Sequence, residues 1–284
     1  MITGKTKLTG VIGHPIKHSF SPPMHNTAYK KMNMDYVYVP FHILPENIDN
    51  LITSAKTMNI QGLNVTIPYK TTIIPQLDEI DEIAQKIGAV NTIQFKNGKA
   101  KGYNTDGIGA IKSLKKYTDL EDKNILILGA GGASKAITFT LTYENPQNIT
   151  IANRTQQNAD TLIENIKKQT PYTNISYIPI QNTDEIIDDI DIIINTTPIG
   201  MTPNIDECPI NTDKINQKHT VMDIIYNPLE TKLLKKAKQQ KAQTIPGTHM
   251  LVNQGIEAFK IFTNQTPKYE YFEKPLLKIL TQKQ

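Results

Sequence analysis

The sequence predicts an α/β protein that contains a parallel, doubly wound sheet. An apolar strand pattern, a glycine-rich turn and a helix pattern follow one another within residues 124–155. Strand and helix patterns then keep alternating until the chain passes Gly247. The length of 284 residues suggests about two domains, since domains average roughly 150 residues.

The strongest local pattern is NILILGAGGAS at residues 124–134. A short apolar run that ends at a glycine is typical of a buried parallel strand. A helix pattern at 133–143 and a second strand pattern at 148–152 follow. The glycines therefore lie in the strand-to-helix turn of a βαβ unit.

The glycines of this turn fit dinucleotide binding. Gly129 permits the tight turn, and Gly131 allows the backbone to approach a pyrophosphate at the helix N-terminus. The third fingerprint position is Ser134 rather than Gly or Ala, and such a turn can also be purely structural. The order of strand, turn, helix and strand favours a Rossmann-type nucleotide-binding domain.

The end of the second strand indicates which nucleotide is bound. An NAD enzyme is expected to have an acidic residue about 20 positions after the glycines, whereas this chain has Asn153, Arg154 and Thr155. Arg154 is the only arginine among 31 lysine and arginine residues. Because a guanidinium binds phosphate through two parallel hydrogen bonds, the sequence favours NADP over NAD.

Composition restricts the class of protein. Hydrophobic residues make up 38% and charged residues 20%, and the net charge of +4 is spread along the chain. These values predict a soluble, cytoplasmic enzyme with a small-molecule substrate, without nucleic-acid or membrane partners. The single cysteine, Cys208, excludes intramolecular disulfides, and the scattered histidines form no metal-ligand cluster.

The N-terminal third contains candidate substrate contacts. A strand is predicted at 7–13, and Ser21 before Pro22 predicts a helix with Ser21 as its N-cap. Ser19 is not needed for that cap, so Ser19 and Ser21 together form a candidate carboxylate site. A second strand is predicted at 36–43, and a helix that starts at Pro45 follows it.

The segment GLNVTIPYK at 62–70 is a further candidate site. In an extended chain Asn64 and Thr66 share one face, while Leu63, Val65 and Ile67 share the other. Pro68 is expected to end the strand, which leaves Lys70 just beyond its tip. Lys70 is either an ordinary solvated lysine or a functional one, and its neighbours favour function.

The next segment predicts a hairpin at Asn97-Gly98 between strands 89–95 and 99–103, and Asn91 lies on the first strand. Asp106 is either the N-cap of the following helix or a residue that acts together with Lys70. The rest of the chain predicts helix 156–168, strand 175–180, a short helix near 184, strands 191–194 and 221–225, and helices 230–241, 248–262 and 271–282. Gln254 lies on one face of the helix at 248–262 with Met250 and Ala258.

These motifs together resemble the shikimate dehydrogenase family along nearly the whole chain. The motifs are GHPIKHSFSPPMHN, LNVTIPYK, GAVNTI, GYNTDGIG, GAGGASKAI, ANRT, NTTPIGM, DIIYNPLETKLL and GTHMLVNQGIEAF. The resemblance implies NADP-dependent, reversible reduction of 3-dehydroshikimate to shikimate, in chorismate and aromatic amino-acid biosynthesis. It also implies a Rossmann-type NADP domain at 105–244 and an α/β substrate domain at 1–104 and 245–284, closed by C-terminal helices.

The resemblance also implies roles for individual residues. The catalytic pair is Lys70 and Asp106. Substrate contacts are Ser19, Ser21, Asn64, Thr66, Asn91, Tyr226 and Gln254, with Asp106 among the hydroxyl contacts. Cofactor contacts are Gly129, Ala130, Gly131, Gly132, Ala133, Asn153, Arg154, Thr155, Ile225 and Gly247. Two departures from the family pattern, His249 and the segment 239–241, lie outside these positions.

Three alternatives remain at the level of the sequence. A quinate/shikimate dehydrogenase that accepts NAD is disfavoured by Asn153 and Arg154. A catalytically silent, NADP-sensing regulator is disfavoured by the presence of both Lys70 and Asp106. A nucleic-acid binder is disfavoured by the mild charge. The sequence is compatible with a monomer or a homodimer, and it does not decide which of Lys70 and Asp106 transfers the proton.

Overall fold

A computed structural model describes residues 2–282 of the chain. The helices are α1 (Ser21–Lys31), α2 (Leu51–Thr57), α3 (Glu82–Ile87), α4 (Asp106–Leu114), α5 (Gly132–Leu141), α6 (Gln156–Gln169), α7 (Lys232–Gln239), α8 (Gly247–Thr263) and α9 (Glu270–Gln282). The strands are β1 (Lys7–Gly13), β2 (Tyr36–His42), β3 (Gly62–Val65), β4 (Glu79–Ile80), β5 (Thr92–Lys96), β6 (Lys99–Tyr103), β7 (Asn124–Leu128), β8 (Asn148–Asn153), β9 (Ile175–Pro179), β10 (Ile192–Asn195), β11 (Thr220–Asp223) and β12 (Gln243–Ile245).

The chain divides into two compact units. The first unit combines the residues up to Thr105 with those from Val252 onward, and the second unit is Asp106–Leu251. The sequence places the return crossing at residue 245, whereas the division falls inside α8. The difference has a simple origin: sequence patterns mark where a helix begins, whereas a single continuous helix can contribute to two cores.

The sheet of the second unit is parallel throughout and has the order β12-β11-β10-β7-β8-β9. Counted along the chain from β7, this is the order 3-2-1-4-5-6 of the doubly wound dinucleotide-binding fold. The predicted Rossmann-type fold is therefore confirmed. In such a sheet the order reverses between β7 and β10, and ligands bind outside the carboxyl ends of the strands at that point.

The first unit has a mixed sheet with the order β2-β1-β3-β5-β6-β4. β1 pairs with β2 and β3 in parallel, while β5 is antiparallel to β3 and β6. One side of the unit has an aliphatic core that includes Ile52, Leu63 and Ile73. An aromatic cluster packs elsewhere around His25, with ring contacts to Tyr29, Tyr38, Phe259, Phe262 and Phe272.

The C-terminal helices close this unit, as the fold prediction required. Phe262 of α8 lies so close to Gly62 that a Cβ there would meet its ring at 2.1 Å. The ring of Phe272 from α9 contacts His25 with 5.0 Å between centroids. A side chain larger than hydrogen at Gly62 would push α8 away from β3.

Three local predictions differ from the structure. The strand is expected to end at Pro68, whereas β3 ends at Val65, and Ile67 beyond it is 73% exposed. The predicted helix from Pro45 begins as a 3₁₀ turn and becomes α-helical at Leu51. Asn91 precedes β5, although its backbone N–H still bonds the Tyr103 carbonyl at 3.0 Å.

Within residues 2–282 no helix combines the length and the apolar character of a membrane span.

Candidate active site

The two serines predicted to bind a carboxylate flank the start of α1. The helix begins at Ser21 itself, after Phe20 at the cap position, so the predicted capping role of Ser21 is wrong. Pro22 and Pro23 already have helical geometry within the first turn and place the start one residue earlier than the cap rule suggests. Ser19 Oγ instead accepts the backbone N–H of Ser21 at 3.3 Å. Both hydroxyls are partly buried at a helix N-terminus, which favours an anion.

Asn64 is held by a buried hydrogen-bond network in the first unit. Its Oδ1 accepts a bond from the Tyr38 hydroxyl at 2.8 Å. Its Nδ2 donates to the Asn91 carbonyl at 3.2 Å and to Thr92 Oγ1 at 3.0 Å. Both amide hydrogens are used, so the remaining capacity of the Asn64 side chain is a lone pair on Oδ1. Asn64 can therefore accept a hydrogen bond from a ligand hydroxyl.

Tyr38 connects this amide to the start of α1. The side chain is 1% exposed, and burial raises its pKa well above the usual value, while a hydrogen bond with the Ser21 side chain opposes part of that shift. The phenol is therefore neutral and can donate to Asn64. One buried hydroxyl thus contacts two of the residues predicted to bind substrate.

The network continues from Asn64 to the end of the first unit. Thr92 Oγ1 donates to Asn91 Oδ1 at 2.9 Å, and this oxygen also accepts the Thr105 N–H at 2.8 Å. Asn91 Nδ2 donates to Thr105 Oγ1 at 3.0 Å. Asp106 follows Thr105 directly and is the first residue of α4, not its cap. The Asn91 amide thereby fixes the backbone that enters Asp106.

The remaining predicted substrate residues lie on separate segments of the two units. The Thr66 N–H bonds the Ile12 carbonyl at 3.0 Å, and the Lys70 carbonyl accepts the Val90 N–H at 2.7 Å. Both side chains are partly buried, as is that of Gln254 on α8. Tyr226 lies in the second unit and is 36% exposed. Lys70 belongs to the first unit, and Asp106 opens the second.

The glycine-rich turn in the second unit has the features that a pyrophosphate requires. Gly129 has a φ of +104°, and a Cβ there would meet Thr196 Oγ1 at 2.8 Å, so this position needs glycine. Gly131 precedes α5 with extended geometry and no side-chain cap. No described atom beyond the immediate backbone lies within 4 Å of a Cβ built at Gly131 or Gly132, so open space borders this helix N-terminus. Ala130 and Ala133 are partly buried beside it.

The residues predicted to select NADP occur together after β8. The Gly129 N–H bonds the Ala152 carbonyl at 2.8 Å, which places the end of β8 beside the glycine turn. Arg154 is exposed, and Thr155 occupies the cap position of α6 without a side-chain bond to it. The first turn of α6, which is described in full, contains no acidic residue. This arrangement suits a phosphate, because a guanidinium and an uncapped helix N-terminus both favour negative charge.

Ile225 and Gly247, predicted to lie near the nicotinamide, touch each other. A Cβ at Gly247 would meet the carbonyl oxygens of Ile224 at 2.3 Å and Ile225 at 2.4 Å. The Ile225 N–H bonds Oδ1 of Asp223 at 3.0 Å. Asp223 is fully buried, and desolvation raises its pKa to about 6. The glycine turn and the residues after β8 fit the phosphates of NADP. No group of three or more metal-binding side chains occurs within the described part of the chain.

Sequence patterns did not predict the hydrogen bonds that hold these side chains in place. Tyr38, Thr92 and Thr105 form the network of the first unit, and Asn195 and Asp223 form one in the second. Only polarity within an apolar strand could have indicated Asn195 and Asp223, which end β10 and β11. Tyr38 and Thr92 are ordinary strand residues in sequence, and only burial distinguishes them.

Comparison with known proteins agrees with this geometry. Three family models match: the "Shikimate dehydrogenase substrate binding domain" at residues 11–93, "Shikimate / quinate 5-dehydrogenase" at 112–230, and the "Shikimate 5'-dehydrogenase C-terminal domain" at 247–277. The shikimate dehydrogenase (NADP(+)) of Methanosphaera stadtmanae is 72% identical over 282 residues, which cover 99% of each chain.

Two solved structures extend the comparison. A shikimate dehydrogenase in complex with NADP+ is 49% identical, with a TM-score of 0.92, over 99% of this chain and 98% of the other. The enzyme of Listeria monocytogenes, in complex with shikimate and NAD, is 34% identical with a TM-score of 0.92, over 97% and 98% of the two chains. The chain belongs to the shikimate dehydrogenase family.

Proposed function

We propose that this chain catalyses the NADP-dependent, reversible reduction of 3-dehydroshikimate to shikimate, a step in chorismate and aromatic amino-acid biosynthesis. The observation that carries the proposal is the pair of fixed amides, Asn64 and Asn91, in a buried network that Tyr38 connects to Ser21 at the start of α1. Fixed amides suit recognition of ring hydroxyls, and a helix N-terminus with two hydroxyls suits a carboxylate. Shikimate carries both kinds of group.

We assign substrate binding to the first unit and NADP binding to the second. Ser19 and Ser21 bind the carboxylate, and the hydroxyls are bound by Asn64, Thr66, Asn91, Asp106 and Gln254, with Tyr226 as a further contact. The pyrophosphate lies at 129–133, the 2′-phosphate at Asn153, Arg154 and Thr155, and the nicotinamide at Ile225 and Gly247. When bound, NADPH supplies the hydride that reduces the carbonyl carbon.

Lys70 and Asp106 manage the proton in this proposal. Reduction places negative charge on the former carbonyl oxygen, and an ammonium group at that oxygen stabilises the charge and can supply a proton. A carboxylate beside the ammonium orients it and shares the proton. In the oxidation direction the same pair accepts the proton from the substrate hydroxyl.

The first experiment records reduced-nicotinamide absorbance after the purified chain is mixed with shikimate and either NADP or NAD. We expect a strong signal with NADP and little with NAD. Equal signals, or turnover of quinate at a similar rate, would favour a quinate/shikimate dehydrogenase. NADP binding without turnover of either acid would favour a silent NADP-sensing regulator.

The role of Lys70 has its own test. Lys70→Ala should lower kcat by about a thousandfold and change the KM for shikimate little, because general acid–base catalysis contributes roughly 10²–10⁴-fold. Lys96→Ala, at an exposed position of the β5–β6 hairpin, is the matched control and should retain full activity. If Lys70→Ala keeps its kcat and only KM rises, Lys70 binds substrate and does not act on the proton.

We further propose a cytoplasmic enzyme that is a monomer or a homodimer. The proposed cofactor and substrate are small, charged and diffusible, which supports a location where both occur free. Light scattering coupled to size-exclusion chromatography distinguishes a monomer mass near 31.9 kDa from twice that value. Association into a larger species would contradict this part of the proposal.

A further inference from the structure

Asp223 is a buried carboxylate that is not among the proposed substrate and cofactor contacts. It ends β11 and is 0% exposed. Its Oδ1 accepts bonds from Asn195 Nδ2 at 3.0 Å and from the Ile225 N–H at 3.0 Å. Its Oδ2 accepts a bond from Thr231 Oγ1 at 2.8 Å. The carboxylate therefore joins three separate segments of the second unit.

Each donor controls a different part of the sheet edge. Asn195, at the end of β10, accepts bonds from the Thr197 N–H at 3.0 Å and from its hydroxyl at 2.7 Å. Thr197 stands beside Thr196, whose hydroxyl bounds the space next to Gly129. Thr231 is the N-cap of α7 and accepts the Leu234 N–H at 3.4 Å.

The third donor, Ile225, belongs to the segment that faces Gly247. The close approach of Gly247 to the Ile224 and Ile225 carbonyls leaves this segment no room on that side. Its opposite anchor is the hydrogen bond from the Ile225 N–H to Asp223. The segment that leads to Tyr226 is thus held between a glycine and a carboxylate.

Burial of a carboxylate at this position costs desolvation free energy, so its presence calls for a structural reason. The three donors are neutral, and burial of an acid without a cation opposes ionisation. A carboxylate, however, is the side chain that presents two oxygens as acceptors with no hydrogen to place. A hydroxyl offers a single acceptor oxygen for three donors. An amide keeps two donors on its oxygen, but its NH₂ group faces Thr231, whose hydroxyl must then accept instead of donate.

We propose that Asp223 is a positioning residue that holds residues 224–226 where the nicotinamide half of the dinucleotide binds. This inference rests on the proposed function, because that function assigns Ile225 and Gly247 to the nicotinamide. Asp223 touches neither substrate nor cofactor. It acts through the Ile225 N–H and through Asn195.

The test compares two ligands that share the adenosine 2′-phosphate and pyrophosphate but differ in the nicotinamide. The variant is Asp223→Asn, and the ligands are NADPH and 2′-phospho-ADP-ribose. We expect the Kd for NADPH to rise about 10-fold, since the bonds from Asn195 and Ile225 to a charged acceptor become weaker bonds to a neutral one, while the Kd for 2′-phospho-ADP-ribose changes less than about twofold. A merely structural role would weaken both ligands equally, and that result would overturn the proposal.

Asp191→Asn is the matched control. Asp191 Oδ2 also accepts a backbone N–H, that of Asn124 at 2.9 Å, but it precedes β10 at the opposite end of the same sheet. The Asp191→Asn variant should leave both Kd values unchanged.

If Asp223→Asn does not fold, Thr231→Val provides a second test. It removes one donor and should shift the NADPH Kd in the same direction by a smaller factor, and an unchanged value would overturn the proposal. Failure of the proposed function is recognised separately, because the unaltered chain would then bind NADPH without oxidising shikimate or would not bind it.

Discussion

The Tyr38 hydroxyl donates a 2.8 Å hydrogen bond to Oδ1 of Asn64, and both side chains are buried in the first unit. The ring of Tyr38 is itself fixed by stacking on His25, with centroids 4.2 Å apart. The orientation of the Asn64 amide therefore depends on an aromatic cluster that also includes residues of α8 and α9.

Tyr38→Phe should raise the KM for shikimate roughly three- to tenfold while kcat changes little, because one net hydrogen bond is worth about 1 kcal/mol. Tyr29→Phe is the matched control. It removes a buried hydroxyl that lies 3.0 Å from Thr9 Oγ1, within the same aromatic cluster. Steady-state kinetics measure KM and kcat for both variants. Thermal unfolding should show a similar loss of stability in the two. An equal rise of KM in both would mean that Tyr38 supports the fold and not the substrate site.

Arg154→Ala should lower kcat/KM with NADP about 10- to 100-fold and leave kcat/KM with NAD within about threefold, since only NADP carries the phosphate that the guanidinium binds. Parallel assays with the two cofactors measure this. Lys167→Ala removes a positive charge from the other end of α6 and should change neither value. Loss of activity with both cofactors in Arg154→Ala would show that Arg154 does not select the phosphate.

Two glycine substitutions should separate folding from cofactor binding. Gly129→Ala forces a side chain into a φ of +104° and against Thr196, so the unfolding free energy should fall by about 1–3 kcal/mol. Gly131 has a φ of −85°, and a Cβ built there has no neighbour within 4 Å, so Gly131→Ala should keep the thermal stability of the unaltered chain. The new methyl group would occupy the space assigned to the pyrophosphate, and NADPH affinity should fall at least about tenfold. Normal NADPH affinity in a stable Gly131→Ala protein would contradict that assignment.

Stability should decrease in acid because of His25. This side chain is 1% exposed, and desolvation lowers its pKa to about 3, below the usual 6.5. The unfolded chain binds a proton at this residue below pH 6.5, whereas the folded chain does so only near pH 3. The contribution of His25 is therefore present above pH 6.5 and is lost as the pH falls towards 3, by up to about 1.4 kcal/mol per pH unit.

Denaturant unfolding between pH 7 and pH 4 measures this slope. His25→Leu should make the unfolding free energy less dependent on pH in that range, whatever its absolute stability. His18→Ala, at an exposed position before α1, is the control and should keep the slope of the unaltered chain. An unchanged slope in His25→Leu would assign the acid sensitivity to other groups.

The sequence by itself determined the parallel sheet of the second unit. The apolar strand 125–128 requires burial on both faces, and Gly129 meets the positive φ of the turn that follows it, so local sequence leaves few conformations open there. The same holds for the Asn97-Gly98 hairpin, whose two residues have φ values of 52° and 76°. Local patterns indicated Ser19, Ser21 and Lys70 as candidates, the family resemblance supplied most of the other site residues, and all their roles stay predictions.

Only the tertiary structure decided how those candidate residues are held. Asn64 and Tyr38 are 26 positions apart, and Asp223 collects donors from Asn195 and Thr231, so no local pattern brings them together. The start of α1 shows the same limit on a smaller scale, since Ser19 and not Ser21 accepts the first helical N–H. Hydrogen bonds between strands depend on sheet register and burial, which the whole fold sets and a short segment cannot encode.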